Sequence, residues 1–191
     1  MIYITSDLHL GHSNILKYQL NRDYGSIEEM NAGIVEEWNS VATDKDTIYI
    51  LGDVAFLNDN AETANLMSNL NGTIKVVPGN HDYDLNQVRY RFIVQGLDKL
   101  HNKAPFEILP PIFELKYRKH KIVMCHYPLS VWHGSNRNIR SDEGKKSSIH
   151  LNGHQHGKGD NTVPYRLDVG WDCFNRLVSL DEIIDKFYPT S

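Results

Sequence analysis

The stretch Thr47-Ile48-Tyr49-Ile50-Leu51-Gly52-Asp53 decides how this chain is read. Five β-branched or apolar residues form a run too short for a helix and right for a buried strand, and a glycine and an aspartate end it. The pattern recurs on both sides. Met1–Thr5 precedes Ser6-Asp7-Leu8-His9, and Thr73–Val77 precedes Pro78-Gly79-Asn80-His81-Asp82. Lys121–Cys125 precedes His126, and Ile149–Asn152 precedes Gly153-His154-Gln155-His156, while Tyr165–Val169 is a further run. Five predicted strands therefore each end in Asp, Asn or His.

Helical periodicity fills the gaps in the first half. Ile27, Met30, Ile34, Trp38 and Val41 recur at steps of three and four, behind the Ser26–Glu29 capping box. A second helix is predicted over Ala61–Leu70, stopped by Asn71-Gly72, and a third over Asp84–Gly96. Strand alternating with helix predicts parallel βαβ units. The second half is strand-rich: Ile112–Tyr117 alternates and returns through Arg118-Lys119-His120 as an antiparallel hairpin, and a Ser179–Glu182 capping box starts a final helix. The expected fold is α/β (α+β), two packed mixed β-sheets flanked by helices, in one domain over residues 1–191.

Bulk properties bound the function. With 191 residues, 40% hydrophobic and 23% charged, the chain has the composition of a globular domain. No apolar run reaches the roughly 20 residues that span a bilayer, and the first residues lack the basic and apolar regions of a secretory signal. Cys125 and Cys173 are far apart without zinc-type spacing, which fits a reduced, cytoplasmic setting. A net charge of −4 argues against grip on long duplex nucleic acid, which runs on phosphate neutralisation.

The residues past the strand ends carry the chemistry. In α/β sheets, ligand sites form at the carboxyl ends of the strands. Asp7 and His9, two apart on leaving a strand, share a face if the extended backbone continues. Asp53 has oxygens to spare for two ions. Asn80 supplies a ligand, a left-handed turn or both. His126, His154 and His156 add imidazoles. Mixed nitrogen and oxygen donors suit Mn, Fe, Zn or Co better than Ca or Mg, and the lack of thiolates weighs against structural zinc. Gly52, Gly79 and Gly153, each just before a candidate ligand, permit tight turns there. His12 lies near the first pair, as a phosphate contact or a cap. His101, His120, His133 and His150 have no such context.

In order, Asp7-x-His9, Gly52-Asp53, Gly79-Asn80-His81-Asp82, His126 and Gly153-His154-x-His156 resemble the motif set of the calcineurin-like metallophosphoesterases, and Asp168-Val169-Gly170 looks like that family's closing strand. The resemblance implies a four-layer sandwich and two divalent metal ions, Mn2+ first, with Fe, Zn, Ni and Co as alternatives. It implies that Asp7, His9 and His156 hold one ion, that Asp53 bridges, and that Asn80, His126 and His154 hold the other. A metal-bridging hydroxide would then attack a phosphomonoester or phosphodiester of a nucleotide or small metabolite. His81 would be the catalytic histidine facing the substrate. Asp82 orients His81 or caps its turn, the second being favoured. One departure stands out: phosphoprotein phosphatases of this superfamily carry an acidic residue, then Arg, where this chain has Phe56. A protein-phosphatase role is therefore disfavoured.

The stretch Trp132–Arg140, with Lys145-Lys146 after it, resembles a loop of short bacterial and phage-type phosphoesterases. Trp132 could stack on a base while Arg137 or Arg140 pairs with a phosphate, or the stretch is a solvated loop with its indole in the core. A nuclease acting on single-stranded ends and a non-catalytic protein-binding scaffold are the competing readings. The first rests on this loop, and the second is weakened because every expected ligand position is filled.

Overall fold

The computed structural model describes residues 1–56, 65–82, 106–138, 148–160 and 162–189, with the side chains of residues 106, 137 and 138 excepted. The expected helix over Asp84–Gly96 and the first residues of Ala61–Leu70 lie outside the described residues, as do Arg140, Lys145 and Lys146; residues 65–68 are helical.

Two mixed sheets form the frame. In the first, β1 (Ile2–Thr5), β2 (Thr47–Ile50), β3 (Thr73–Val76) and β4 (Phe106–Ile108) run parallel in the order β4-β3-β2-β1. In the second, β5 (Ile112–Tyr117) and β6 (His120–Cys125) form the expected antiparallel hairpin, and β7 (Ser148–Asn152) and β8 (Arg166–Asp168) continue parallel to β6. A two-residue strand, β9 (Val178–Ser179), pairs antiparallel with β1. Strands as short as β4 and β9 carry too few residues for an alternation to be read.

The period of two sorts the core into two layers. Ile48 and Ile50 face one side with Met30, Ile34 and Trp38 of the helix Ile27–Val41. Ile4, Tyr49 and Leu51 face the other, against Ile122, Met124, Ile149 and Leu151 of the second sheet. The C-terminal helix Leu180–Phe187 joins this second core through Leu180, Ile183 and Ile184. Both capping boxes form: Ser26 Oγ accepts from the Glu29 N–H at 3.1 Å and Ser179 Oγ from the Glu182 N–H at 3.1 Å. Val41, predicted on the apolar stripe, is exposed, because it is the last residue of its helix.

β1, β2, β3, β6 and β7 end at one rim, joined beyond β1 by the bridge Ser6–Gly170. The candidate ligands lie there.

Candidate metal centre

The rim loops are held in an unusual backbone state. Asp7 (φ 56°), His9 (51°), Asp53 (53°), His154 (70°) and His156 (51°) all sit in the left-handed region. Non-glycine residues visit it at a cost of order 1 kcal/mol or more and cluster at functional sites when they do. This corrects the sequence reading of Asp7 and His9. They share an aim because both turn left-handed after β1 ends, and not because a strand alternates. Backbone bonds lock the turns: the Asp7 N–H donates to Gly52 O and the His9 N–H to Asp53 O, both at 3.0 Å. Gly52 (φ 88°) is required where the loops meet, since a Cβ there would lie 2.5 Å from the Gly79 nitrogen. At Gly153 a Cβ would fall 1.9 Å from Ser6 Oγ. Asn80 is outside the left-handed region, so the turn-only reading of that residue falls away.

Two groups of donor atoms result. Asp7, His9 and His156 converge, with His9 Nε2 4.0 Å and His156 Nε2 3.8 Å from Asp7 Oδ1. Around His126 Nε2, Asn80 Oδ1 lies at 3.0 Å and His154 Nδ1 at 3.2 Å. Asp53 Oδ2 stands between the groups, 3.6 Å from both His9 Nε2 and His126 Nε2. All seven candidate ligands are brought together. The donor set fits divalent ions on a direct observation: Asp7 Oδ1 and His9 Nε2 are fully buried and make no hydrogen bond. Such atoms are costly unless something satisfies them.

The electrostatics point the same way. Burial pushes the Asp7 carboxyl up to about 6, and it pulls His9 well below the usual imidazole value and His154 down as well. The neutral form that burial favours in these two rings carries a free lone pair for an ion. His126 Nδ1 donates to Leu51 O at 2.8 Å, which leaves Nε2 as the donor atom.

Behind these residues lies a layer that the sequence reading missed. His156 Nδ1 donates to Asp172 Oδ2 at 2.6 Å, and Arg22 grips Asp172 through Nε (2.7 Å to Oδ1) and Nη2 (2.9 Å to Oδ2). Burial alone would raise the Asp172 carboxyl, but the hydrogen bonds of Arg22 and His156 hold it well below the usual range. Burial likewise pulls on His156, yet its bond to Asp172 and the nearby Asp7 carry it above the ordinary value. Asp172 could have been found, because it follows closely on the predicted strand Tyr165–Val169. Arg22 had no such signal. Asp82 caps the turn, as favoured: its oxygens accept from the N–H groups of Asp53 (2.8 Å), Val54 (2.9 Å) and Gly79 (2.7 Å).

His81 lines the rim. Its N–H donates to Asp53 Oδ1 at 2.9 Å, and its ring lies 5.7 Å from that of His9. His12 joins the site as well, with Nδ1 3.2 Å from His9 Nδ1 and its ring stacked on Phe56 at 4.5 Å. Phe56 also meets His81 edge-on at 5.1 Å, so an aromatic ring packs where the protein phosphatases carry their acid. Tyr127 stands edge-on to His126 and His154. Trp132 requires correction. It is 7% exposed, donates Nε1–H to Ser148 Oγ at 2.9 Å and packs on His150, so its ring is committed to the core and cannot stack on a base. Arg137 lies in the helical turn Ser135–Asn138, its side chain outside the described residues. A cavity of about 850 Å³ adjoins the centre, lined by His156 and Asp172 and by Tyr18, Lys158, Phe174 and Lys186. Among the described residues no helix is long and apolar enough to cross a membrane.

Comparison with known proteins gives a family match and several similar chains. Residues 1–158 match the family profile Metallophos, calcineurin-like phosphoesterase. Over 82 residues the chain is 45% identical to the uncharacterized protein MJ1445 of Methanocaldococcus jannaschii, a stretch covering 42% of this chain and 46% of that relative, about half its length. The Gene 66 protein of Mycobacterium phage L5 is 28% identical over 96% of this chain and 92% of its own. The crystal structure of AQ665 from Aquifex aeolicus, a protein of unknown function, aligns with a TM-score of 0.67 over 97% of this chain and 98% of that one, at 21% identity. At that identity the likeness is one of fold.

Proposed function

Because the chain belongs to the calcineurin-like phosphoesterases, we propose that it is a dinuclear-metal hydrolase of phosphomonoesters or phosphodiesters on a nucleotide or another small metabolite. Asp7, His9 and His156 would hold one divalent ion, Asn80, His126 and His154 a second, and Asp53 would bridge them. The observation that carries this reading is the position of Asp53 Oδ2, 3.6 Å from an imidazole nitrogen of each group. Manganese is the first candidate, since nitrogen and oxygen donors are mixed without thiolate. Bound ions of this kind clamp a phosphate, lower the pKa of water and offset developing charge.

The protein's own groups have separate tasks. Asp53 Oδ1 accepts the His81 N–H, which ties the histidine's backbone to the bridging carboxylate. His81 is the general acid toward the leaving oxygen or a hydrogen-bond donor to the phosphate. Phe56 and His12 form a wall that limits how the His81 ring turns. The 850 Å³ cavity, with aromatic walls and two lysines, supports a substrate with an organic group of nucleotide size. Burial of Trp132 removes the base platform on which the single-strand nuclease reading leaned. Two free cysteines, Cys125 and Cys173, support a reducing, cytoplasmic setting.

The test uses metal-stripped protein reloaded with Mn2+ and assayed on bis-p-nitrophenyl phosphate, p-nitrophenyl phosphate and a panel of cyclic nucleotides. Two bound ions with turnover of at least one class are expected. Full occupancy with no turnover of any, unchanged in His81→Ala, sinks the hydrolase reading. Asp53→Asn should cut bound manganese from two ions to at most one, measured by elemental analysis, and unchanged content removes the bridging role.

A further inference from the structure

Arg22 is the most completely engaged buried cation among the described residues, and apart from a 3.6 Å contact of Nη1 with Met30 Sδ its bonds go to the rim. Its side chain and that of Asp172 are each fully buried, and the two are 150 positions apart in the chain. Two of its nitrogens, Nε and Nη2, hold both oxygens of Asp172. The same guanidinium donates through Nη1 to Leu8 O at 2.7 Å and through Nη2 to Asp7 O at 2.5 Å. Leu8 and Asp7 are the residues whose carbonyls frame the left-handed Asp7-x-His9 turn. On its far side, Asp172 takes the Nδ1–H of His156 and so presents Nε2 toward Asp7 Oδ1. One guanidinium thereby holds the Asp7 carbonyl, the Leu8 carbonyl that precedes His9 and, through Asp172, the His156 ring. Arg22 makes no hydrogen bond to Asn80, His126 or His154, and the link to that group is the His154 N–H donated to Asp7 Oδ2 at 2.9 Å.

We infer that Arg22 and Asp172 are positioning residues for one ion only, the ion held by Asp7, His9 and His156, and that they set its affinity independently of the other. The inference rests on the proposed metal centre. The physical reason is that a planar guanidinium fixes directions as well as charge: its fork matches the Asp172 carboxylate bidentately while its remaining hydrogens fix two adjacent carbonyls. Partners that orient a ligating imidazole are typically worth about 10- to 100-fold in metal affinity. Lysine cannot supply four directed bonds, so the role belongs to arginine.

The experiment is calorimetric titration of metal-free protein with Mn2+, followed by electron paramagnetic resonance of the loaded samples. The wild type is expected to take two equivalents and to show the spin-coupled signal of a paired site. Asp172→Asn and Arg22→Lys should each keep one equivalent with an affinity within twofold of wild type and weaken the other about 10- to 100-fold. The paired signal should give way to that of an isolated ion. Asp172→Asn preserves size, and circular dichroism verifies its fold. Should Asp172→Ala fold, its loss should shrink to less than twofold in a His156→Ala background, because both act on one imidazole. Two unaltered equivalents in Asp172→Asn and Arg22→Lys overturn the inference and leave the metal centre standing. Equal weakening of both ions overturns it too, as a general loosening of the fold. Fewer than two equivalents in the wild type instead overturn the metal centre, and the inference with it.

Discussion

Replacing Asp82 with alanine tests the idea that one buried carboxylate welds the β2 and β3 rim loops together. Asp82 is fully buried and accepts three backbone N–H groups, from Asp53, Val54 and Gly79 at 2.7 to 2.9 Å. Each donor left unsatisfied costs about 1–3 kcal/mol, so the gross loss is roughly 3–9 kcal/mol. Removing a buried carboxylate also relieves its desolvation penalty, which is several kcal/mol. That penalty is visible here, since burial, helped by nearby Asp53, pushes Asp82 up to about 6 against the three donors. The net destabilisation should be about 3 kcal/mol. With a urea slope of about 2 kcal/mol per M, the unfolding midpoint of metal-free protein should fall by about 1.5 M. Asp82→Asn keeps an oxygen for the two donors that share Oδ2 and sets its amide against Val54, so it should cost about half as much. An alanine shift below about 0.25 M, or an asparagine variant as unstable as the alanine one, would refute the reasoning.

Three further outcomes are expected. His81→Ala should lower kcat by about 10²- to 10⁴-fold while elemental analysis still finds two ions; loss of an ion would make His81 a ligand instead. Trp132→Ala should destabilise by about 3–5 kcal/mol through the cavity it leaves, with kcat/KM within twofold of wild type on every substrate that turns over. A selective rise in KM would return Trp132 to the substrate. His150 is buried, accepts the Leu129 N–H on Nε2 and faces Val123 O with Nδ1, and burial pulls its pKa down. The folded protein thus refuses a proton that the unfolded chain accepts below about pH 6.5, and stability should fall with pH there by at most about 1.4 kcal/mol per unit. Urea midpoints of metal-free protein at pH 7.5 and 5.5 should differ less in His150→Gln than in wild type, and equal differences would exclude His150 as the cause.

Much of the centre was legible because its ligands follow strands that announce themselves by composition. The run Thr47–Leu51 needed only its own residues to become β2, and Gly52-Asp53 marked where it stops. The core stripe of Met30, Ile34 and Trp38 was equally local, since a helix repeats within a few residues. Phe56 showed its difference in place. Trp132 did not: a tryptophan beside arginines reads the same whether its ring meets substrate or packs on His150, and only packing decides.

The amino-acid sequence by itself determined that strands deliver Asp7, His9, Asp53, Asn80, His126, His154 and His156 to one edge, because short-range periodicity and turn residues carry that information. The tertiary structure alone decided how these side chains are aimed. The left-handed turns at five of them depend on bonds between separate loops, such as Asp7 N–H to Gly52 O. Arg22, Asp172 and His156 meet across 150 positions of chain. No local pattern encodes such a meeting, since its energy comes from burying charge beside its partner, and that exists only once the sheets have packed.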